Sequence, residues 1–186
     1  MVSSVKLYRA DLNQLVQLAQ TDLKVLWRQA ATADEGRDLL LDVLPQLTQV
    51  YGSGAATLAA DWYDELRVAA NVRGSFSAIA AELPGAGRTD ALARWAVSPL
   101  FSDKPDFALA LDKAQGGFQR VISNAGRDTV TVSSVKDPRA RGWQREGDGE
   151  CEFCSMLIGR GAVYSEATAD FQSHDHCQCS AVPVFD

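Results

Sequence analysis

The sequence predicts an α+β fold that is mainly α: a helical N-terminal body followed by a small, irregular, strand-poor C-terminal module stapled by cysteine and histidine. Three observations lead there. Apolar residues recur at three- and four-residue steps from Lys6 to about Val121. After Asn124 the texture turns to alternating Val and Thr, then to Pro and Gly. All four cysteines and both histidines of the 186-residue chain fall between Cys151 and Asp186. The reading therefore divides the chain into a body at 1–125 and a module at 126–186.

From Lys6 to about Ala31, a first helix carries Leu12, Leu15, Val16, Ala19, Leu23, Leu26, Trp27 and Ala30 on one stripe. Gly36 in "TADEGRDLL" interrupts the pattern. A second stripe follows at Leu40, Leu44, Leu47 and Tyr51, with Pro45 implying a kink or a late start. "GSG" at Gly52–Gly54 predicts a turn. Leu58, Trp62, Leu66 and Ala69 predict a third helix, and a shorter one ends before Pro84. Thr89 is the expected N-cap of a helix from Asp90 to about Val97. Asp103 or Lys104, with Pro105, opens the next one, striped by Phe107, Leu111, Ala114, Phe118 and Val121 and weakened by Gly116-Gly117.

In the module, "RDTVTVSSV" from Arg127 reads as a strand. "KDPRARGWQREGDGE" reads as a loop or arm holding Trp143, which anchors in a groove or caps the module's small core. "CEFCSMLIGRGAVY" gives a short apolar run, a glycine turn and a strand-like "AVY". "SAVPVF" is extended, and its proline keeps it off a central strand position.

Charge narrows the function. The net charge is −6, with 14 acidic and 12 basic residues up to Ala125 and 10 and 6 after it. An acidic cysteine-bearing end argues against a general grip on nucleic-acid phosphates. No apolar run is long enough for a membrane span, and "MVSSVKLYRADLNQ" lacks the apolar core of a signal peptide. A cytoplasmic setting follows as an expectation, and there clustered thiols more often hold metal than form disulfides.

The module is too poor in apolar residues to build a core alone, so a metal, a disulfide or a partner is expected to close it. Cys151-x-x-Cys154 has the spacing that aims two thiolates at one ion, and His174-x-x-Cys177 offers a second pair of similar spacing. The candidate metal ligands are Cys151, Cys154, His174, Cys177 and Cys179. The preferred set is Cys151, Cys154, His174 and one of Cys177 or Cys179 around a structural zinc, with Asp175 placed to orient an imidazole. Disulfides within Cys151–Cys154, or across to Cys177 or Cys179, are the runner-up. Metal-free packing thiols come next. A catalytic metal needs an open coordination place and a base. The deaminase pattern of H-x-E with P-C-x-x-C is absent.

The stretch "GWQREGDGECEFCSMLIGRGAVY" with "HDHCQCSAVPVF" resembles the C-terminal signature of the Mu F-like minor head proteins of tailed phages, in the form found in phages of actinobacteria. Gly142, Trp143, Cys151, Phe153, Cys154, Leu157, Arg160, Gly161, Tyr164, His174, Asp175, His176, Cys177, Cys179, Pro183 and Phe185 carry the likeness, which spans about the last forty-five residues. The resemblance implies a low-copy virion protein without turnover. It would associate with the portal protein, the major capsid protein or the inner head surface, or with itself, and aid head assembly and DNA packaging or ejection. It also favours His174 over His176. The competing reading from another class is a small metal-dependent hydrolase or toxin-like effector using the same cluster.

Overall fold

The computed structural model describes residues 4–147, 152–161, 163–166 and 170–186. Ser4–Trp27 forms α1, which buries Tyr8, Leu12, Val16, Ala19, Leu23 and Trp27 along one face. Ala33–Leu47 forms α2, and its start has a local cause. Thr32 accepts from the Glu35 backbone N–H at 3.2 Å, and the Glu35 carboxylate accepts from the Thr32 N–H at 3.1 Å. This capping box overrides the break expected at Gly36. Gly36 lies inside the helix instead. A Cβ there would stand 2.9 Å from Leu100 Cδ1 and 3.1 Å from the Trp27 ring, so the bare backbone is what lets both pack.

Pro45 sits within α2 without ending it. The helix passes into a π-helical segment, Thr48–Gly52, and then directly into α3, Ser53–Ala69. The turn expected at Gly52–Gly54 is thus corrected to continuous helix. Gly52 serves contact rather than reversal: Leu83 Cδ2 comes within 2.9 Å of where its Cβ would be. The short helix expected before Pro84 is corrected too, because residues 75–85 run extended. Their backbone donors are taken by side chains of neighbouring helices. Ala78 N–H donates to Asp64 at 2.9 Å, Ile79 N–H to Ser133 Oγ at 2.9 Å, and Ala81 N–H to Thr129 Oγ1 at 3.0 Å. Such partners make an isolated extended segment affordable without a sheet.

Ala86–Ala96 forms α4 after Gly85. Thr89 is therefore not the N-cap. It is buried inside the first turns, and its hydroxyl donates to the Ala86 carbonyl at 2.8 Å. A 3-10 turn, Ser98–Phe101, seats Leu100 in the core. Phe107–Lys136 forms α5, capped by Asp106, which accepts from Leu109 N–H at 2.9 Å. At about 1.5 Å per residue α5 is about 45 Å long.

α5 absorbs the strand expected at 127–135. The alternation of Thr and Val there also places Ala125, Gly126, Thr129, Val130, Ser133 and Ser134 on buried helical faces. Thr129 keeps its hydroxyl satisfied inside the helix by donating to Ala125 O at 2.8 Å while accepting from Ala81. Tertiary partners thus outweigh β propensity. α5 runs unbroken across residues 125 and 126. It is the axis of the molecule, packed by α1, α3 and α4 and also by the C-terminal strands.

Those strands are β1, Ala140–Glu146, and β2, Ser180–Phe185, paired antiparallel with a bulge between Ala140 and Gly142. β1 replaces the middle of the loop expected over 136–150. Trp143 lies opposite Pro183, and the Trp143 backbone turns to the other edge, where it exchanges hydrogen bonds with Tyr164 at 2.9 and 2.7 Å. Pro183 therefore faces a position that asks no donor of it. Between the strands, Glu152–Gly159 forms α6. Of the expected strand-like "AVY", Ala162 lies outside the described residues and Tyr164 makes this single bridge. The described residues are mainly α with one two-stranded sheet. Among the described residues no helix is long and apolar enough to cross a membrane.

Candidate metal centre

Two segments deliver the donors. α6 turns Cys154 inward and leaves Phe153 and Met156 exposed. The chain before β2 makes a tight turn in which Cys177 N–H donates to the His174 carbonyl at 3.2 Å, with His176 at a left-handed φ of 62°. The turn separates the two histidines. His176 packs against Gly116 of α5, where a Cβ would meet its Nε2 at 2.8 Å. His174 instead faces Cys154.

The Cys154 sulfur lies 3.6 Å from His174 Nε2 and 3.7 Å from the Cys177 sulfur. A tetrahedral ion with bonds of about 2.3 Å to sulfur and about 2.0 Å to nitrogen has edges of about 3.7 Å between sulfurs and about 3.6 Å from sulfur to nitrogen. The Cys154–His174 and Cys154–Cys177 edges already stand at those separations, and the three donor atoms lie within 4.8 Å of one another. A disulfide needs about 2.05 Å, well short of the 3.7 Å between the Cys154 and Cys177 sulfurs. His174 Nδ1 is 2.6 Å from the Asp175 carbonyl oxygen. A carbonyl only accepts, so Nδ1 carries the proton and the Nε2 lone pair points at the cluster. Asp175 thus orients the imidazole through its backbone, while its carboxylate pairs with Arg120 at 3.3 Å.

The centre is fastened to α5 by Arg127, which is 2 % exposed. Its Nη2 donates to the Cys177 carbonyl at 2.7 Å, its Nε to the Cys179 carbonyl at 2.9 Å and its Nη1 to Asn124 Oδ1 at 2.8 Å. Phe171 is held between Arg127 at 4.9 Å and Arg145 at 3.8 Å, and Arg145 also donates to the Gln172 carbonyl. Trp143 stacks on Tyr164 at 4.5 Å and leans on Phe171 at 5.6 Å. Trp143 is thus a core residue of the module.

This packing redistributes charge among the thiols. A hydrogen bond from Cys179 pulls the Cys177 thiol down to about 4; burial opposes the shift, and the Arg127 charge adds to it. Cys179 moves upward, first through that same hydrogen bond and then through burial. Burial lowers Arg127 from its usual value, while the neighbouring sulfurs favour its charge.

The family described as VG15 protein matches residues 2–186. The chain belongs to the VG15 protein family. That is a family of viral gene proteins, and membership marks the chain as phage-encoded. Neither a curated protein nor a solved structure matches it.

In this VG15-family chain, the expected ligands Cys154, His174 and Cys177 come together as a group able to hold a metal ion. Cys179 is buried beside them but outside that group. Cys151 lies outside the described residues. Arg127 and Arg145 were not anticipated. Arg127 shares a buried face with the polar Gln119, Ser123 and Ser134, a helical stripe that is visible only once α5 is read through residue 136.

Proposed function

We propose that the chain is a minor head protein of a tailed phage: a structural, low-copy virion component at the portal vertex or inner head surface, without turnover. Its role would be in head assembly and in DNA packaging or ejection, through contact with the portal protein or the major capsid protein. Family membership supports the phage setting, and the C-terminal likeness to Mu F-like proteins supports the head. The observation that carries the structural reading is the placement of the three donors. They bridge α6 and the chain before β2, at the seam where the module lies on α5.

In this reading the centre binds zinc through Cys151, Cys154, His174 and Cys177, with Cys179 hydrogen-bonded alongside. Bound zinc supplies cross-linking strength that a small apolar core lacks. The chain's own residues do the rest: Asp175 orients His174, and Arg127 fixes the carbonyls that flank the second ligand pair. The nearby cleft of about 1050 Å³ is lined by Arg120, Phe171, Ser173 and Asp175.

The test is mass spectrometry of purified particles from the encoding phage, with copy number taken from labelled peptides. A few copies per particle, and empty or unfilled heads when the gene is deleted, are expected. Absence from purified particles would end the proposal.

A further inference from the structure

We propose that the centre is a staple for two redox conditions: the Cys154 and Cys177 sulfurs that share a metal ion under reducing conditions close into a disulfide when a peroxide oxidises them, and the module stays docked. This deepens the zinc reading and rests on it. Three features carry it. The two sulfurs are 3.7 Å apart, so an approach of about 1.7 Å reaches bonding distance. The segment bearing Cys177 is held by Arg127 through main-chain carbonyls at 2.7 and 2.9 Å, contacts indifferent to the state of the sulfur. Cys154 and Cys177 sit on different segments, so either bond spans the same seam.

The chemistry balances with hydrogen peroxide as the oxidant. One thiolate attacks a peroxide oxygen; an S–O bond forms, the O–O bond breaks, and hydroxide departs and takes a proton. The second thiolate attacks that sulfur; the S–S bond forms and the S–O bond breaks, releasing a second hydroxide that is protonated in turn. Two thiolates, one peroxide and two protons give one disulfide, two waters and the released metal ion. The sulfurs lose the two electrons that the peroxide gains.

The experiment treats the full-length, zinc-loaded protein with one equivalent of hydrogen peroxide. It follows metal release with a chromogenic chelator, counts thiols, and maps non-reduced peptides by mass spectrometry. The thiol count should fall by two of the chain's four cysteines as the metal is released, with Cys154 linked to Cys177 and Cys179 still alkylatable. Proteolysis of the module in the oxidised protein should stay within about twofold of the zinc form. A main product joining Cys151 to Cys154 or Cys177 to Cys179 would overturn the proposal. So would metal loss with sulfinic or sulfonic acids in place of a disulfide, or a module cut more than about tenfold faster after oxidation. A purified protein with four reduced thiols and no zinc refutes the zinc reading itself, a result distinct from a wrong disulfide.

Discussion

Arg127 in the middle of α5 donates to the carbonyl of Cys177 at 2.7 Å, so α5 and the turn that carries the candidate ligands His174 and Cys177 are joined by a buried hydrogen bond. Arg127→Met should remove three donors and leave two inward-facing carbonyls unpaired. With hydrogen bonds to charged groups worth about 1.5–3 kcal/mol each, the loss should be about 3 kcal/mol or more. Arg127→Lys should not restore it, because one ammonium cannot span the carbonyls of both Cys177 and Cys179. Urea unfolding of the two variants beside wild type decides the point. A lysine variant as stable as wild type would contradict the clamp.

Removing the metal should act on the module alone. Cys154→Ser and Cys177→Ser are each expected to bring zinc content from about one per chain to near zero, since loss of one thiolate opens a four-ligand site. Helical circular dichroism should be nearly unchanged, because most of the buried apolar residues of the shared core lie on α1 to α5. Limited proteolysis should cut between Glu152 and Cys179 first. Elemental analysis with peptide mapping reads both effects.

Gly142 tests the sheet. Its φ of 135° lies in the left-handed region, and a Cβ would stand 2.2 Å from the Tyr164 carbonyl oxygen. Gly142→Ala should cost about 2–4 kcal/mol through strain and loss of the Trp143–Tyr164 bridge. Gly159→Ala is the control, since its Cβ meets nothing within 4 Å. Thermal unfolding should separate the two variants by several degrees; equal midpoints would count against the bridge.

Tyr51 gives a pH signature in the body. Its hydroxyl donates to Asp22, and that bond, with burial and the Asp22 charge, pushes its pKa up to about 12. The unfolded value is about 10. A raised folded value stabilises the neutral form, so the contribution is complete below pH 10 and is lost as pH rises through about 12. Absorbance titration at 295 nm should show one tyrosine moving to lower pH in Asp22→Asn. An unchanged curve would exclude the contact.

Much of the body was legible because core burial writes a three-four period: Leu12, Val16, Ala19, Leu23 and Trp27 are buried as their spacing implies. The failures share a cause. Gly36, Gly52, Gly116 and Gly117 look like breaks in one dimension, yet each makes room for a side chain from elsewhere: Leu100, Leu83, His176 and Leu92. Thr129 and Ser133 look like strand residues until the extended segment at 75–85 arrives to use their hydroxyls. The donors themselves were legible from chemistry and spacing. Their fastening was not, because a buried arginine that grips backbone carbonyls leaves no mark in the residues it grips.

The position of β2 sets an order of events during synthesis. α5 ends at Lys136, but the strand that covers its flank begins only at Ser180. While the intervening residues emerge from the ribosome, that flank, with Arg127 on it, lacks the cover of β2 and of the Cys177 and Cys179 carbonyls. Docking of β2 is thus a late, long-range step gated by a segment made well after α5, and a nascent chain stalled before Ser180 should bind chaperones that the finished one ignores.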